Sequence, residues 1–386
     1  VVGSGMQDEE GAVRCIDAGA SDYLLKPVNG TLLRARIGAS LEAKRWRDRE
    51  REYLAELEKS QRFIRKIFGR YLSDEIVQRL LDDNDGLQLG GELRQVTILM
   101  ADIRGFSALS QQLAPEQCVQ LLNNYFAAMT EVIQRFRGTV DEFVGDGILV
   151  IFGAPLSDSD DCDRALACAV AMQLAVETVN ERNRADNLPE ITIGIGLNTG
   201  DVVAGNIGSE LRSKYGVVGH NVNLTGRIES CTVGGQILAA PATIAASTVQ
   251  VLAGRRISVS LKGMGDAVML TEVLGVGMPY DLLLESAPEE WQSYKKNISL
   301  TLSVMAGKRN GAKQFKVEVC AHAGENLRVF SAEVLPVLAD VSIEGFEVAC
   351  YAKITGQLSG GEYVLTLTSA NTQLRSLLQM NSSRGR

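Results

Sequence analysis

The chain has 386 residues, a length that predicts two to four folded units rather than one ordinary domain. Its net charge of -8 disfavours a nucleic-acid binder, because such proteins usually present a basic face to phosphates. Only two histidines are present, which excludes a histidine-rich zinc site. No uninterrupted apolar stretch approaches the ~18 residues of a membrane span, so we expect a cytoplasmic protein without a membrane span.

The cysteines are spread along the chain without a CxxC spacing. We interpret them as buried thiols of a cytosolic protein rather than as disulfides. Two of them, Cys162 and Cys168, lie within one helical pattern. The others are Cys15, Cys118, Cys231, Cys320 and Cys350.

The first segment, residues 1–40, alternates strand and helix patterns. It resembles the last third of a response-regulator receiver domain, with Ser4 at the switch position and Lys26–Pro27 as the Lys-Pro pair. This resemblance implies a sensor kinase as a partner. The part of that family that carries the phosphoacceptor Asp is missing here, so we do not expect this piece to be phosphorylated in the family's manner.

A long helical connector is predicted over 41–85. Residues 42–81 are rich in Arg and Glu, with no glycine before Gly69 and no proline, as a solvated helix requires. A short apolar seam predicts a parallel coiled coil with a second copy, and a helix that packs on its own domain is the alternative. The seam residues are Leu54, Leu57, Ile64 and Phe68.

The central unit, 90–278, predicts an α/β (α+β) fold with a ferredoxin-like βααββαβ sheet and helices on one face. Helical spacing over 115–136 predicts one apolar face. The predicted strands are 96–101, the hairpin around GDG, 191–198, 215–218 and two more around 256–273, with helices over 115–136, about 160–182 and 221–230. The predicted apolar face consists of Val119, Leu122, Phe126, Met129, Ile133 and Phe136.

Five polar residues of this unit suggest a shared chemistry. Asp102 ends an apolar strand and Asp146 tips the hairpin, and two such carboxylates are suited to hold two Mg²⁺ over a triphosphate. Asn223 and Arg227 lie one helical turn apart, and Lys262 follows in LKG. Each of these is commonly a turn residue, a solvated side chain or a strand end. Their joint order and spacing favour a functional site.

Several motifs together resemble a class III nucleotidyl cyclase catalytic domain. They are MADIRGFS at 100–107, the GDG hairpin and GxxVNxxxRIES at 219–230. The resemblance implies Asp102 and Asp146 as metal-binding residues, with the carbonyl of Ile103 also on a metal. It further implies Mg²⁺ or Mn²⁺ as cofactors, two in each active site.

The same resemblance assigns roles to the remaining motif residues. The backbone around Gly105, Phe106 and Ser107 would cradle phosphate. Arg227 would stabilise charge on the α-phosphoryl oxygens, and Asn223 would orient the ribose. The remaining assignment is Lys262 on the terminal phosphates.

The family also builds each active site between two head-to-tail subunits. The metals lie on one chain, and the Asn, Arg and Lys come from the other. We therefore expect a homodimer, in which the predicted helical connector would set the angle between the halves.

Glu142, four residues before Asp146, occupies the position that reads the purine in this family. A carboxylate accepts hydrogen bonds from guanine N1–H and N2–H₂, which favours GTP over ATP as substrate. The second purine-reading position is Gly216, so one side-chain hydrogen bond is lost and specificity would be loose. His220 stands where an Asp is common, and we interpret it as a surface or supporting residue. ATP stays the alternative substrate.

The tail, 296–386, is predicted as a separate small β domain. Its DVSIEGF run resembles half of a PilZ cyclic-di-GMP site, with Asp340, Ser342 and Gly345 matching. The companion RxxxR is replaced by Arg309 and Lys313, and a Lys does not reproduce bidentate guanine recognition. Ordinary strand–turn–strand structure explains the run as well.

Two other classes of function stay open from the sequence. One is a catalytically inactive cyclase-like module that regulates or dimerises, although such a module has no physical need of all five polar residues. The other is a pure signalling scaffold, which the receiver-like start and the connector alone would support.

Overall fold

The computed structural model divides the chain into two compact units, residues 1–72 and 73–386. The structure describes residues 2–4, 13–14, 17–19, 23–25, 29–68, 89–209, 212–260, 267–284, 290–306, 309–346 and 349–380.

The first unit contains a parallel strand pair and one long helix. Strand β1 (Val2–Ser4) pairs with β2 (Tyr23–Leu25), and helix α1 spans Gly30–Phe68. The α1 helix begins after Asn29, whose side-chain oxygen accepts a hydrogen bond from the Thr31 amide at 2.9 Å. The Lys26–Pro27 pair and the predicted connector beyond Phe68 lie outside the described residues.

Helix α1 is 39 residues long and leaves large apolar side chains in solvent. Leu54 and Leu57 of the predicted seam are exposed, as are Trp46 and Tyr53. The side chains of the other two seam residues are outside the description. Within the described part of the chain, none of the helices combines the length and apolar character needed to cross a bilayer.

A nine-stranded sheet organises the first part of the second unit. Its main order is β11-β10-β8-β6-β3-β5-β4, with β7 paired to β6 and β9 to β10; β6 and β8 are parallel. The strands are β3 (Gly90–Ile103), β4 (Thr139–Val144), β5 (Gly147–Phe152), β6 (Ile193–Ser209), β7 (Arg212–Val218), β8 (Ile237–Ala239), β9 (Val251–Val259), β10 (Val268–Val276) and β11 (Leu282–Leu283). The helices are α2 (Phe106–Leu109), α3 (Pro115–Arg135), α4 (Asp161–Ala185), α5 (His220–Ser230) and α6 (Pro241–Ala246).

The central strand β3 is covered on both faces. Leu99 and Ala101 pack in the core that contains α3 and α4, whereas Ile98 belongs to a cluster on the other face. Helix α5 lies on that second face, where Gly226 approaches the Met100 sulfur. The ferredoxin-like core is confirmed, but the prediction that helices occupy only one face is wrong for α5. Because side chains alternate along a buried strand, both faces need a cover.

The buried face of α3 differs from the predicted one. Val119 is 57% exposed, whereas Leu121, two residues later and on the opposite side of the helix, is buried. Leu122, Phe126 and Phe136 are only half-buried. The predicted face is therefore rotated from the observed one, which shares Met129 and Ile133 with it. The fully buried positions are Leu121, Tyr125, Ala128, Met129, Val132 and Ile133.

The C-terminal part of the second unit is a closed six-stranded barrel that ends in a short helix. The barrel order is β12-β13-β14-β17-β16-β15, and its interior forms one apolar cluster. Its elements are β12 (Gln292–Ala306), β13 (Arg309–Ala323), β14 (Asn326–Phe330), β15 (Asp340–Ile343), β16 (Cys350–Gln357), β17 (Glu362–Ser369) and α7 (Thr372–Met380).

The barrel contacts the end of helix α5 through a buried lysine. Lys353 is 2% exposed, and its Nζ donates to the Ser230 carbonyl at 2.6 Å and pairs with Asp340 at 2.9 Å. Leu338 packs against the apolar cluster that contains Ile228. Asp340 of the PilZ-like run is therefore engaged in this contact, where it neutralises Lys353.

The remaining PilZ-like residues occupy positions that ordinary barrel structure explains. Ser342 is buried within β15, and Gly345 adopts a positive φ of 94° in the turn after it. The Lys313 ammonium lies over the Phe315 ring at 4.8 Å. The side chain of Arg309 is outside the described residues.

The cysteines differ from the prediction in two places. Four are buried free thiols: Cys162, Cys168, Cys231 and Cys350. Cys118 and Cys320 are only half-buried, so burial was wrongly predicted for them. Cys118 lies in the first turn of α3, and Cys320 lies where the β13–β14 register shifts. Cys15 is outside the described residues.

Candidate active site

Two aspartates meet where β3 ends and the β4–β5 hairpin turns. Asp102 is the second-to-last residue of β3, and Asp146 occupies the two-residue turn before Gly147. Strands β3 and β5 are antiparallel neighbours, with Ala101 opposite Ile148. This register carries the hairpin tip to the end of β3. The carboxyl groups of Asp102 and Asp146 lie within hydrogen-bonding distance of each other.

The electrostatics of these two groups favour a bound cation. Burial, and then the charge of Asp102, raise the pKa of Asp146 to about 7. Two carboxylates so close together cannot both ionise cheaply unless a positive charge lies between them. Carboxylate oxygens are the ligands that Mg²⁺ and Mn²⁺ prefer. Asp102 and Asp146 therefore fit a divalent metal site. Ile103, whose carbonyl was also predicted to contact a metal, follows Asp102 and is the last residue of β3.

Arg104 links this site to helix α5. Its guanidinium pairs with Asp102 at 3.3 Å and also with Glu229 of α5. The Arg104 and Glu229 side chains are each 10% exposed, so the contact is largely withdrawn from solvent. Gly196 permits the approach of α5 to the sheet, since a Cβ there would lie 2.5 Å from the Glu229 amide nitrogen. Sequence reasoning missed this contact, because the two residues are far apart in the chain.

Tyr125 of α3 is a buried residue near the two aspartates. Burial, and then the charges of Asp102 and Asp146, raise its pKa. Its hydroxyl is buried and makes no hydrogen bond to any described residue. This hydroxyl is therefore a buried hydrogen-bond donor that is unused among the described residues.

The predicted phosphate-binding loop lies directly after Asp102. Gly105 has φ 71°, a left-handed conformation, and caps the single-turn helix α2. Phe106 packs on the core, whereas Ser107 is exposed. A Cβ on Gly105 would lie 2.6 Å from the Thr368 carbonyl oxygen at the end of β17. The barrel therefore contacts the loop, and only glycine fits position 105 without movement.

Asn223 and Arg227 lie one turn apart in α5, and Glu229 lies two residues further on. Asn223 is exposed and Arg227 half-buried. Two residues on a helix differ by about 200° in direction, so Arg227 points away from the side on which Glu229 contacts Arg104. Among the described residues, neither the Asn223 nor the Arg227 side chain has a hydrogen-bond or ion-pair partner. The structure thus brings Asp102 and Asp146 together but directs Arg227 elsewhere.

The predicted purine-reading positions are neighbours on β4 and β7. Glu142 Oε2 accepts a hydrogen bond from Lys214 Nζ at 2.7 Å, and Asp141 Oδ2 lies 3.4 Å from the same nitrogen. A Cβ on Gly216 would lie 2.8 Å from Asp141 Oδ1. His220 is exposed at the start of α5. The predicted phosphate residue Lys262 lies outside the described residues.

A second acidic cluster precedes α4 and differs in its charge balance. Asp158, Asp160 and Asp161 place carboxylate oxygens within 4.8 Å of one another. Arg137 and Arg164 both pair with this cluster. Because two guanidinium groups already neutralise it, this cluster has less need of a metal ion than Asp102 and Asp146 have.

Comparisons with known proteins match the part of the chain that forms the nine-stranded sheet. A model of the "Adenylate and Guanylate cyclase catalytic domain" family matches residues 91–274. The crystal structure of the guanylyl cyclase Cya2 is 52% identical, covers 51% of this chain and 100% of that chain, and has a TM-score of 0.50. The adenylyl cyclase CyaB from P. aeruginosa is 31% identical over 49% of this chain and 98% of its own, with a TM-score of 0.46.

A curated relative matches across a similar region. "Adenylate cyclase 1" from Rhizobium meliloti (strain 1021) is 30% identical over 214 residues. The match spans 54% of this chain but only 32% of that protein's length.

Proposed function

Because the chain belongs to the class III adenylate and guanylate cyclase family, we propose that it converts a purine nucleoside triphosphate into the 3′,5′-cyclic nucleotide and diphosphate. GTP is the proposed substrate, and ATP is the alternative. The observation that carries the proposal is the convergence of Asp102 and Asp146 where β3 ends and the β4–β5 hairpin turns, at which point the pKa of Asp146 rises to about 7. Two carboxylates this close together are suited to bind a divalent cation, and the cyclisation reaction requires a divalent cation.

The reaction requires attack of the ribose 3′-hydroxyl on the α-phosphorus and departure of diphosphate. When bound at Asp102 and Asp146, divalent cations would lower the hydroxyl pKa and neutralise the leaving group. Arg104 keeps Asp102 oriented through its guanidinium, and Glu229 holds Arg104 in turn. This bracing fixes one carboxylate of the site before substrate arrives, which supports precise placement of the reacting groups.

Arg227 and Asn223 would act on the substrate across a homodimer interface. Arg227 suits the charge that grows on the α-phosphoryl oxygens, and Asn223 suits the ribose. Both point away from the Asp102 side of their own chain, and neither side chain has a partner among the described residues. This orientation supports an active site that combines the aspartates of one protomer with α5 of its partner.

The choice of GTP rests on Glu142 and on the most similar cyclase structure described above. A carboxylate accepts from guanine N1–H and N2–H₂ but opposes the acceptor N1 of adenine. The 52% identical relative is named a guanylyl cyclase. Both observations favour a guanine base, whereas the less similar relatives carry adenylate cyclase names.

The connector and the first segment would link this activity to a signal. Helix α1 exposes Leu54 and Leu57, which supports pairing with α1 of a second protomer. A sensor kinase as a partner of the receiver-like segment belongs to the same proposal, without phosphorylation of this segment in the family's manner. Cyclic-di-GMP binding by the barrel finds little support, since Asp340 already pairs with Lys353.

The test is a direct product assay. Full-length protein is incubated with Mg²⁺ or Mn²⁺ and either GTP or ATP, and products are identified by mass. We expect cyclic GMP and diphosphate in equal amounts, with slower formation of cyclic AMP. If no cyclic nucleotide forms with either metal at dimer-promoting concentrations, the inactive regulatory module becomes the better description.

A further inference from the structure

The outer wall of the barrel carries a lysine that is withdrawn from solvent. Lys353 lies on β16 between Ala352 and Ile354, whose side chains are in the barrel core, so strand alternation directs Lys353 outward. An outward lysine is normally solvated, yet Lys353 is 2% exposed. Its Nζ lies 2.6 Å from the carbonyl oxygen of Ser230, the last residue of α5. The barrel thus places a positive charge against the helix that carries Arg227.

This lysine completes the capping of α5 at its C-terminus. The last four carbonyl groups of a helix have no partner within that helix. In α5, three of the four accept hydrogen bonds from groups of residues 230–232. The fourth, the carbonyl of Ser230, accepts from Lys353. Because a cation also interacts favourably with the negative end of the helix dipole, Lys353 anchors the end of α5.

The charge of Lys353 is balanced from the barrel side. Asp340 is its cross-strand partner on β15, with a carboxylate oxygen 2.9 Å from Nζ. A buried ammonium is costly unless it is paired and hydrogen-bonded, and Lys353 meets both conditions. Next to this pair, Leu338 packs on the apolar cluster that contains Ile228 of α5. The contact between the barrel and α5 is therefore both apolar and charged.

The anchored end of α5 is close to the proposed catalytic arginine. Arg227 lies three residues before Ser230, which is about 4.5 Å along the helix axis. The helix has only 11 residues, so a tilt at its end also moves Arg227. One residue before Ser230, Glu229 pairs with Arg104 on the sheet side of the helix. Lys353 and Arg104 together fix the direction in which α5 presents Arg227.

A second contact fixes the barrel relative to the catalytic part of the chain. Thr366 of β17 is the register partner of Lys353, and Thr368 lies two residues further along the same strand. The carbonyl oxygen of Thr368 lies 2.6 Å from the position that a Cβ on Gly105 would take. The paired strands β16 and β17 therefore contact both the loop after Asp102 and the end of α5. Lys353 is held on a frame with a defined position.

We propose that Lys353 is a positioning residue for Arg227, through which the barrel of one protomer acts on the active site that its α5 completes in the partner. This inference rests on the proposed cyclase function, because Arg227 acts on substrate only in that reaction. The loop contact at Gly105 serves the site that contains the aspartates of the same chain. The contact of Lys353 with α5 serves the other site of the dimer.

The first experiment measures kcat and KM in Lys353→Met, which keeps the length of the side chain and removes the ammonium. We expect kcat to fall about tenfold for GTP and ATP alike, with KM near wild type, because a misplaced Arg227 weakens transition-state stabilisation. Lys353→Arg retains a cationic donor and should recover part of the rate. Lys316→Met, at an exposed lysine of β13, is the matched control and should keep the wild-type kcat. A wild-type kcat in Lys353→Met would overturn the assignment.

Mixed dimers separate positioning from a general loss of stability. When Asp102→Ala pairs with Arg227→Ala, the intact site uses α5 of the Asp102→Ala protomer. Lys353→Met added to that protomer should lower the rate of the mixed dimer about tenfold. The same change in the Arg227→Ala protomer should lower it less than about twofold, because α5 of that protomer is not used. A loss of stability would act from either protomer, so equal losses would contradict the proposal.

A measurement without substrate tests the contact itself. Hydrogen–deuterium exchange in residues 220–235 of the nucleotide-free protein should be about tenfold faster in Lys353→Met than in wild type. Exchange in Lys316→Met should equal that of wild type. Unchanged exchange in Lys353→Met would exclude the anchoring of α5 by this lysine.

These outcomes distinguish the two levels of inference. If exchange in α5 responds to Lys353→Met but wild-type protein forms no cyclic nucleotide, the cyclase proposal fails while the anchoring contact stands. If cyclic GMP forms and its rate is insensitive to Lys353, the positioning role fails while the cyclase stands.

Discussion

Two pairs of neighbouring carboxylates involve the hairpin of β4 and β5, one of them together with the end of β3, and they differ in how their charge is balanced. At the turn, Asp102 and Asp146 have no lysine between them, and the pKa of Asp146 rises to about 7. In the middle of β4, Asp141 and Glu142 share Lys214. The first pair therefore needs a cation from solution, whereas the second already holds one from the chain.

The difference shows how one fold uses acidic pairs for two purposes. A pair without a compensating charge attracts a metal ion and gains affinity from the repulsion that the ion relieves. A pair with a lysine presents a fixed pattern of acceptors and donors, which suits a neutral ligand edge such as a purine. Arg104 does not cancel this contrast, because its guanidinium is shared between Asp102 and Glu229.

The largest expected effect is at the uncompensated pair. Asp102→Ala or Asp146→Ala should lower turnover by more than about 10³-fold, because the metal site loses a ligand. Arg227→Ala should cost about as much, on the order of 10³-fold. The rate of cyclic nucleotide formation at saturating Mn²⁺ measures both. Asp158→Ala is the control, since Asp158 belongs to the arginine-neutralised cluster and its loss should leave turnover near wild type.

The same variants test the shared interface. An equimolar mixture of Asp102→Ala and Arg227→Ala should recover part of the activity, because about half of the dimers formed by random pairing are mixed, and each mixed dimer contains one intact site and one defective site. Neither variant alone should be active. Failure of the mixture to recover activity, with dimers present by light scattering, would contradict a site built from two protomers.

The next effect concerns the compensated pair. Glu142→Lys replaces the acceptor by a donor and places a second ammonium beside Lys214. The GTP-to-ATP ratio of kcat/KM should fall by about a hundredfold, because two acceptors become unavailable to guanine. The ratio, measured with both nucleotides in one competition assay, is the readout. Turnover of Glu142→Lys with an unaltered nucleotide preference would remove the basis for assigning GTP.

How far the sequence predicts this site depends on the distance over which each contact is built. Asp102 and Asp146 each belong to a short sequence pattern, a buried strand for Asp102 and a GDG turn for Asp146, and such patterns can be recognised without knowledge of the fold. The pairing of β3 with β5 then brings the two residues together. The position of Lys214 could also have been predicted, because a spacing of two residues on a strand puts Lys214 and Gly216 on the same face of the sheet. The ferredoxin-like core was predicted from the order of such local patterns.

Other features depend on tertiary packing that periodicity does not reveal. The contact of Arg104 with Glu229 joins β3 to a helix 125 residues later. The helical pattern of α3 included Val119, but the face that packs on the core is the one that carries Leu121 and Tyr125, so Val119 is exposed. Asp141 reaches Lys214 only through a bulge, since strict alternation would send Asp141 and Glu142 to opposite faces. None of these follows from spacing alone.

A smaller effect is expected from pH at the metal pair. The raised pKa of Asp146, about 7, means that a proton competes with the metal below that pH. Affinity for Mn²⁺ should therefore fall by about tenfold between pH 8 and pH 6, measured by calorimetry on nucleotide-free protein. Asp146→Asn should bind weakly at both pH values and lose this dependence. Affinity in the wild type that is constant across the range would contradict the raised pKa.

Folding stability of the metal-free protein changes with pH in the opposite direction to the affinity for Mn²⁺. A carboxyl whose pKa rises on folding from 3.8 to about 7 contributes stability at low pH and loses it as pH rises through that window. Metal-free wild type should then gain in Tm on Asp146→Asn at pH 8 but not at pH 5. Added Mn²⁺ should raise the wild-type Tm at pH 8, because the ion binds only the folded pair.

The smallest effect should come from Asp141→Asn, which keeps the shape of the side chain and removes its charge. Lys214 then keeps its contact with Glu142 at 2.7 Å but loses the second carboxylate that fixes its position. The GTP-to-ATP ratio should fall by about threefold, in line with a modest ion-pair contribution to placement. A merely structural role for Asp141 would instead lower kcat for GTP and ATP alike and leave their ratio unchanged. Combined with Lys214→Met, Asp141→Asn should add nothing further, because a positioning residue has no effect once the group it positions is gone.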